Sequence, residues 1–365
     1  MNKILTPEII AKEALMQLEA NLVMAGLVHR DYSKEFVNVG DTITIRKPAK
    51  FVAKNFLGQV EEQDLSEGSV PVKMDRYRDI TVPITSKEMT LSIQDFSEQV
   101  VKPAMSAIAT AVDEDCLAVG IQKAKNKVAI SSTPAIKDLA NVGKALDKAN
   151  APRDNNRNLV LGVDSTYKYN TLAEFTDVSA SGSSEALRNA TIGKAYTMNT
   201  YMSQNAPASV ATTAGTVTAL KVTGTKGETK FACSDVTPTT GKLNAGDKIV
   251  VNGYVYTVSE DATAASGAIS ELKVEEKVVA TITTAVSATP IIKEHSLGFH
   301  RNGLALVTRA LELPAGAAKA AIASANGLAV RVVYGYDQET KTDKISFDII
   351  YGVTDLNDDL LVDFA

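Results

Sequence analysis

Two cysteines and three histidines are all that this 365-residue chain offers for redox pairing or soft-metal binding. Cys116 and Cys233 lie far apart and in different predicted domains, which suits buried thiols better than a disulfide framework. His29, His295 and His300 are too scattered for a metal centre or a catalytic triad. His295 and His300 are five apart beside Glu294, which could bind zinc, but a single pair falls short of the usual coordination. No phosphate loop, Gly-x-Ser-x-Gly elbow or dinucleotide fingerprint occurs, so no enzymatic activity, cofactor or metal is expected. No apolar run reaches the roughly 18 residues a membrane helix needs, and no membrane partner is expected. The opening Met1–Glu8 lacks the apolar core and cleavage site of a secretory signal, so the chain is expected to stay in the cytosol where it is made. Clusters of Lys and Arg are also missing. With a formal net charge of −5, the chain should bind phosphates weakly, because that affinity comes largely from counterions released by clustered cations.

What is present is ordinary globular material, 45% hydrophobic and 22% charged, in a chain long enough for two or three domains. The most informative stretch runs from Gly40 to Lys87. An outgoing strand, Asp41–Lys47, and a returning one, Asp79–Thr85, both alternate apolar and polar residues, with a mostly polar stretch from Asn55 to Ser69 between them. A bare two-stranded ribbon is marginal in water, and so long a loop is expected only where another molecule orders it. It reads as an arm built for assembly.

Elsewhere, Thr6 to Val28 reads as a helix with Pro7 at its first position and a stripe of Ala14, Leu15, Leu18, Leu22 and Ala25, either core or a docking face. A second helical region runs from Ser92 to Lys125 and is either broken or kinked at Pro103; Ala104, Ile108, Val112, Cys116 and Val119 wrap more than one face of it. Ile136 to Ala149 is an amphipathic helix, Asn158 to Val163 a buried strand, and Asp164 to Phe175 a further helix. From Ala206 to Pro290 the texture turns to Thr, Val, Ala and Gly. Short strands are expected there at 216–222, 248–251, 254–258, 271–274 and 278–283, with Asn252-Gly253 as a tight hairpin turn. Two closing strands, Leu328–Tyr336 and Lys344–Val353, put Ile345, Phe347, Ile349, Tyr351 and Val353 on one face.

Four segments carry a resemblance to a known family: Thr6–Leu15, Asn21–Asp31, Val39–Pro48 and Thr85–Ser97. They resemble the opening of tailed-bacteriophage major capsid proteins, and more narrowly the podovirus-type coat proteins with an extra domain inserted in the Hong Kong ninety-seven capsid fold. Phe299–Leu306 and Ile345–Val353 supply a second match near the end, whereas Ser203–Glu294 matches weakly. The resemblance implies an α+β tailed-phage capsid fold with an inserted all-β domain. Its parts would be an N-terminal arm (1–39), an extended loop (40–88), a peripheral domain with its spine helix (89–126), and an axial domain in two pieces (127–202 and 295–327). The inserted β domain would occupy 203–294, and peripheral strands with the C-terminus 328–365. It implies a virion capsid protein, assembled in the bacterial host cytoplasm into hexamers and pentamers. Its partners would be itself, a scaffolding protein, a portal protein and packaged double-stranded DNA bound without sequence specificity. An encapsulin-like compartment shell shares the fold and is the nearest alternative. A surface-layer or adhesin protein would want a signal peptide, and a cytosolic hydrolase a nucleophile and base.

The arm's charge pattern names candidate inter-subunit contacts: a basic stem of Arg46, Lys47, Lys50 and Lys54 precedes an acidic tip of Glu61, Glu62, Asp64 and Glu67. If neighbours overlap, the tip of one could meet a basic surface of the next. Some capsids of this fold cross-link a loop lysine to a neighbour's asparagine. Lys47, Lys50, Lys54 or Lys73 could donate here and Asn326 or Asn357 accept, but the reaction also needs a desolvated lysine and a nearby carboxylate. Asp113-Glu-Asp115 places three carboxylates within one helical turn, where solvent or a basic partner would face them. Asp355, Asn357 and Asp359 copy the first positions of a calcium loop, yet Leu360 replaces the glycine, so a solvated turn is expected.

Overall fold

The structure is a computed structural model describing residues 7–30, 42–46, 69–84, 97–131, 133–177, 179, 185–206, 217–291, 294–314, 319–325, 328–337 and 342–365. It divides into two units: Met1–Asn21, His29–Ala109 and Ala305–Leu356 form one; Leu22–Val28, Thr110–Leu304 and Asn357–Ala365 form the other.

The first unit is built on the 14-residue strand Thr342–Asp355. Ile345, Phe347, Ile349 and Tyr351 alternate onto one face and are all buried, as their period of two requires, while Val353 is half-buried. Leu328–Asp337 pairs with it antiparallel on one side and Arg76–Ile84 on the other; Lys319–Ala325 continues the sheet beyond Leu328–Asp337, and Leu304–Arg309 also joins the long strand. Helix Pro7–Asn21 packs on the strands Lys319–Ala325 and Leu328–Asp337 with Ile10, Ala11, Ala14, Leu15 and Leu18 buried. Its apolar stripe is therefore core. The small side chains of Ala321 and Ala323 lie buried in the strand it meets. The expected helix to Val28 stops early, at Asn21, and a separate four-residue turn follows at Met24–Leu27.

In the second unit a six-stranded mixed sheet runs in the order 126–128, 361–364, 296–300, 157–161, 198–202, 194–195. Helix Ile136–Lys148 places Leu139, Val142 and Leu146 on it, and Phe364 stacks with Tyr169 at 5.7 Å. The expected helix from Asp164 to Phe175 is divided into Val163–Asn170 and Ala173–Thr176. The long helix Lys102–Lys123, entered through one wide π turn at Ser97–Val101, carries buried residues without a break from Asp115 to Gly120. Pro103 thus sits inside the first turn, where its missing N–H does no harm. A Cβ on Gly120 would lie 2.4 Å from Leu297 and 2.9 Å from Leu304, so the bare backbone there admits both leucines.

Residues 217–291 contain no helix and form a six-stranded antiparallel sheet, ordered 254–257, 248–251, 282–290, 219–224, 230–237, 269–273. Its own core holds Val222, Phe231, Ile249, Val258, Leu272 and Val274, with Phe231 edge-on to Tyr256 at 4.9 Å. Asn252 (φ 51°) and Gly253 (φ 82°) make the hairpin turn expected of them. Two expectations shift. Lys230–Thr237 is a strand that the pattern hid, because Asp235 at φ 51° throws Val236 out of step with Phe231 and Cys233. The strand expected from Val278 begins instead at Ile282, Val278 serving as a buried loop residue whose N–H donates to Glu228 O. Both thiols are buried, Cys116 in the long helix and Cys233 in this sheet.

Candidate assembly surface

The arm expected from the sequence is built differently at its base. Thr42–Arg46 pairs antiparallel with Ser69–Lys73, from Thr42 opposite Lys73 to Arg46 opposite Ser69. Of the returning strand expected to be its partner, Asp79–Thr85, residues Asp79–Ile84 instead lie in Arg76–Ile84, which pairs with the long strand from Arg76 opposite Tyr351 to Ile84 opposite Asp343, and Thr85 lies outside the described residues. Sequence alternation could not choose between these partners. Nine cross-strand pairs, including Ile80 with Phe347 and Val82 with Ile345, outweigh the five available in a free ribbon.

The base of the ribbon is therefore fixed to its own chain. Val72 and Met74 are buried in a cluster with Ala305, Val307, Leu311, Ile350 and Leu356. Lys73 O passes so close to Gly352 that a Cβ there would sit 2.1 Å away, so only glycine lets the two backbones meet. Of the candidate contact residues, Arg46 is the last residue of the strand Thr42–Arg46. Lys47, Lys50, Lys54, Glu61, Glu62, Asp64 and Glu67 lie outside the described residues.

At the junction of Arg76–Ile84 with the long strand, Asp79 stands directly opposite Asp348. Arg331 binds Asp348 Oδ2 through Nη2 at 2.6 Å and Nε at 2.9 Å, and also donates to Tyr77 Oη and Glu312 O. Thr81 Oγ1 donates to Asp79 at 3.2 Å. Burial, and then the hydrogen bond and charge of Asp348, push the Asp79 carboxyl up to about 6. No local pattern announces this pair, since its members are 269 residues apart and meet only through register.

The other sequence candidates fall apart as chemical sites. Asp113 and Asp115, expected to face solvent or a basic partner, are buried on either side of the half-buried Glu114. Asp113 accepts the N–H groups of Val23 and Met24, both at 3.0 Å, and so caps the turn Met24–Leu27. Burial raises its carboxyl to about 6 against the pull of those bonds. Glu114 pairs with Lys248 at 2.7 Å. His295 faces Asp363 at 2.8 Å and His300 faces Asp154 at 3.0 Å, while Glu294 caps helix Val163–Asn170 by accepting from Asp164 N and Ser165 N. The three do not converge, and among the described residues no group of acidic, His and Cys side chains could hold a metal. Asn357 accepts from Asp359 N in a short terminal turn, and Asp359 pairs with Lys125. Of the proposed cross-link partners, Lys73 is exposed, Asn357 is engaged in that turn, and Asn326 lies outside the described residues.

The fold can be compared with known proteins. A structure of Mycobacterium phage Che8 matches over 94% of this chain and 90% of its own, with a TM-score of 0.52 and 16% identity. A chain from the asymmetric unit of the bacteriophage PhiM1 mature capsid matches over 94% of this chain and 86% of its own, with a TM-score of 0.50 and 10% identity. No protein-family profile matches the sequence, and no curated protein does. At these identities the likeness is one of fold: the chain has mixed helix and sheet in the phage capsid fold. Among the described residues no helix is long and apolar enough to cross a membrane.

Proposed function

We propose that this chain is a major capsid protein whose function is repeated self-association, as hexamers and pentamers, into the closed icosahedral head of a tailed phage around double-stranded DNA. The observation that carries the reading is an anchored ribbon on a capsid-type fold: a base locked by Val72, Met74 and Gly352, leading into a segment that turns from basic to strongly acidic. A charged segment with a fixed root suits lateral contact with a copy of itself, and many weak contacts reinforce one another in a closed shell. In this reading residues 40–88 are the extended loop, the long helix is the spine of the peripheral domain, 127–202 and 295–327 are the axial domain, and 203–294 is the inserted β domain of the podovirus coat type. Arg46, Lys47, Lys50, Lys54, Glu61, Glu62, Asp64 and Glu67 make the inter-subunit contacts. A scaffolding protein and a portal act during assembly in the host cytoplasm.

The test is charge reversal in the acidic tip. The Glu61→Lys, Glu62→Lys double variant should keep the circular dichroism of the wild-type chain and lose particles by negative-stain microscopy. Unchanged particles would remove these residues from the contact. Particles filled with cargo protein and free of DNA would make the chain a compartment shell.

A further inference from the structure

The chain is acidic overall and its sequence shows no cluster of cations, yet folding gathers one. Helix Ile136–Lys148, the loop Ala151–Asn156 and the hairpin turn Tyr196-Thr197 enclose an open cleft of about 510 Å³ lined by Gly143, Lys144, Lys148, Arg153, Tyr196 and Thr197. Lys144 and Lys148, four apart on one helix face, are exposed, and among the described residues neither has an ion-pair partner. Asp147, the carboxylate of the lining, is already engaged by Arg153 Nη2 at 2.5 Å and by Arg157 Nη1 at 2.8 Å. Those two guanidinium groups hold it down to about 2, so it stays ionised and paired across the working pH range. Asp154, next along the loop, is turned to His300 and Asn156. The lining thus holds three cations, Lys144, Lys148 and Arg153, against one carboxylate, with the buried Arg157 behind them.

The walls are held in place from beneath. Arg157 is 1% exposed and donates to Pro152 O at 2.9 Å, to Ala151 O and to Thr197 Oγ1 at 3.2 Å, tying the loop and the hairpin to one buried side chain. Asn150, Asn155, Tyr196 and Thr197 all have positive φ without being glycine, a conformation that strains Tyr196 and Thr197 most. Strain of this kind persists only where surrounding contacts over-determine it, and here it leaves the Tyr196 ring 47% exposed at the rim. Gly143 brings the helix close, a Cβ there lying 3.3 Å from Tyr196 O.

We infer that this cleft binds the phosphodiester backbone of a nucleic acid strand, with Lys144, Lys148 and Arg153 contacting phosphates and Tyr196 stacking on an exposed base. Cations beside an exposed aromatic ring are the combination that single-stranded nucleic acid needs, and an acidic peptide would gain nothing from the ring. The inference stands apart from shell formation, because it concerns each subunit by itself.

Fluorescence anisotropy of a labelled twelve-nucleotide single strand, titrated with the full chain at low salt, tests it. Lys144→Ala with Lys148→Ala should weaken binding at least about tenfold and flatten the slope of log affinity against log salt by about 1.4. Tyr196→Ala should weaken it at least about fivefold, and Tyr196→Phe should restore it, which a merely structural role for the hydroxyl would not predict. Inorganic phosphate should compete only weakly. Absence of binding at low salt, binding indifferent to the lysine pair, or equal affinity for a poly-glutamate peptide would overturn the assignment.

Discussion

Replacing Gly352 by alanine tests whether the ribbon is rooted in its own subunit. The added Cβ would lie 2.1 Å from Lys73 O, 2.9 Å from Lys73 C and 3.3 Å from Met74 Cα, all backbone atoms with no rotamer to escape through. Carbon and oxygen need roughly 3 Å or more, so Lys73–Met74 must move outward by about 1 Å; displacements of that size in a packed region cost about 1–3 kcal/mol. The same movement partly withdraws Val72 and Met74, now 0% and 2% exposed, from their cluster, which brings the expected loss to about 2–4 kcal/mol. Gly335→Ala is the control, for nothing lies within 4 Å of the Cβ it would add in the same sheet. Urea denaturation should show the loss for Gly352→Ala and a change within about 0.5 kcal/mol for Gly335→Ala. Amide exchange at Val70–Met74 should quicken in the first variant alone. If Gly352→Ala matched the wild type in both measurements, the anchored root would be refuted.

Asp79 and Asp113 each titrate in the folded chain near 6, above the ordinary carboxylate value of about 4. The folded state therefore binds their protons more tightly than the unfolded state, and stability should fall as pH rises from about 4 to about 6 and then level off. Urea midpoints at pH 5 and pH 7 should differ less in Asp79→Asn and in Asp113→Asn than in the wild type; an unaltered difference would contradict the assigned titrations. Asp113→Ala leaves the N–H groups of Val23 and Met24 without their acceptor and should cost about 2–4 kcal/mol by denaturation, with Asp113→Asn losing less.

What could be read from the sequence was whatever a short window decides. The alternation of Ile345 to Tyr351, the hairpin at Asn252-Gly253 and the helix Ile136–Lys148 each rest on residues a few positions apart, and each forms as expected. Choice of partner lies beyond such a window. Thr42–Arg46 and Asp79–Ile84 look like mates, and only the strand Thr342–Asp355, far along the chain, decides that the second belongs to the sheet. The Asp113 helix gave the same difficulty, because its apolar pattern showed packing on two sides and not that Asp113 and Asp115 lie within the packed faces. The basic cleft was hidden for a related reason: parallel pairing of Arg157–Leu161 with Met198–Met202 brings Tyr196 to the end of a helix more than 40 residues earlier.

In the proposed function, identical copies of this chain close into a shell. Electron cryomicroscopy of the concentrated, purified chain measures that directly. Uniform hollow particles are expected, their walls resolving into rings of five and six subunits, with the segment between Arg46 and Ser69 lying across a neighbouring copy. A chain that stays monomeric at every concentration and salt, with that segment folded back on its own subunit, would contradict it.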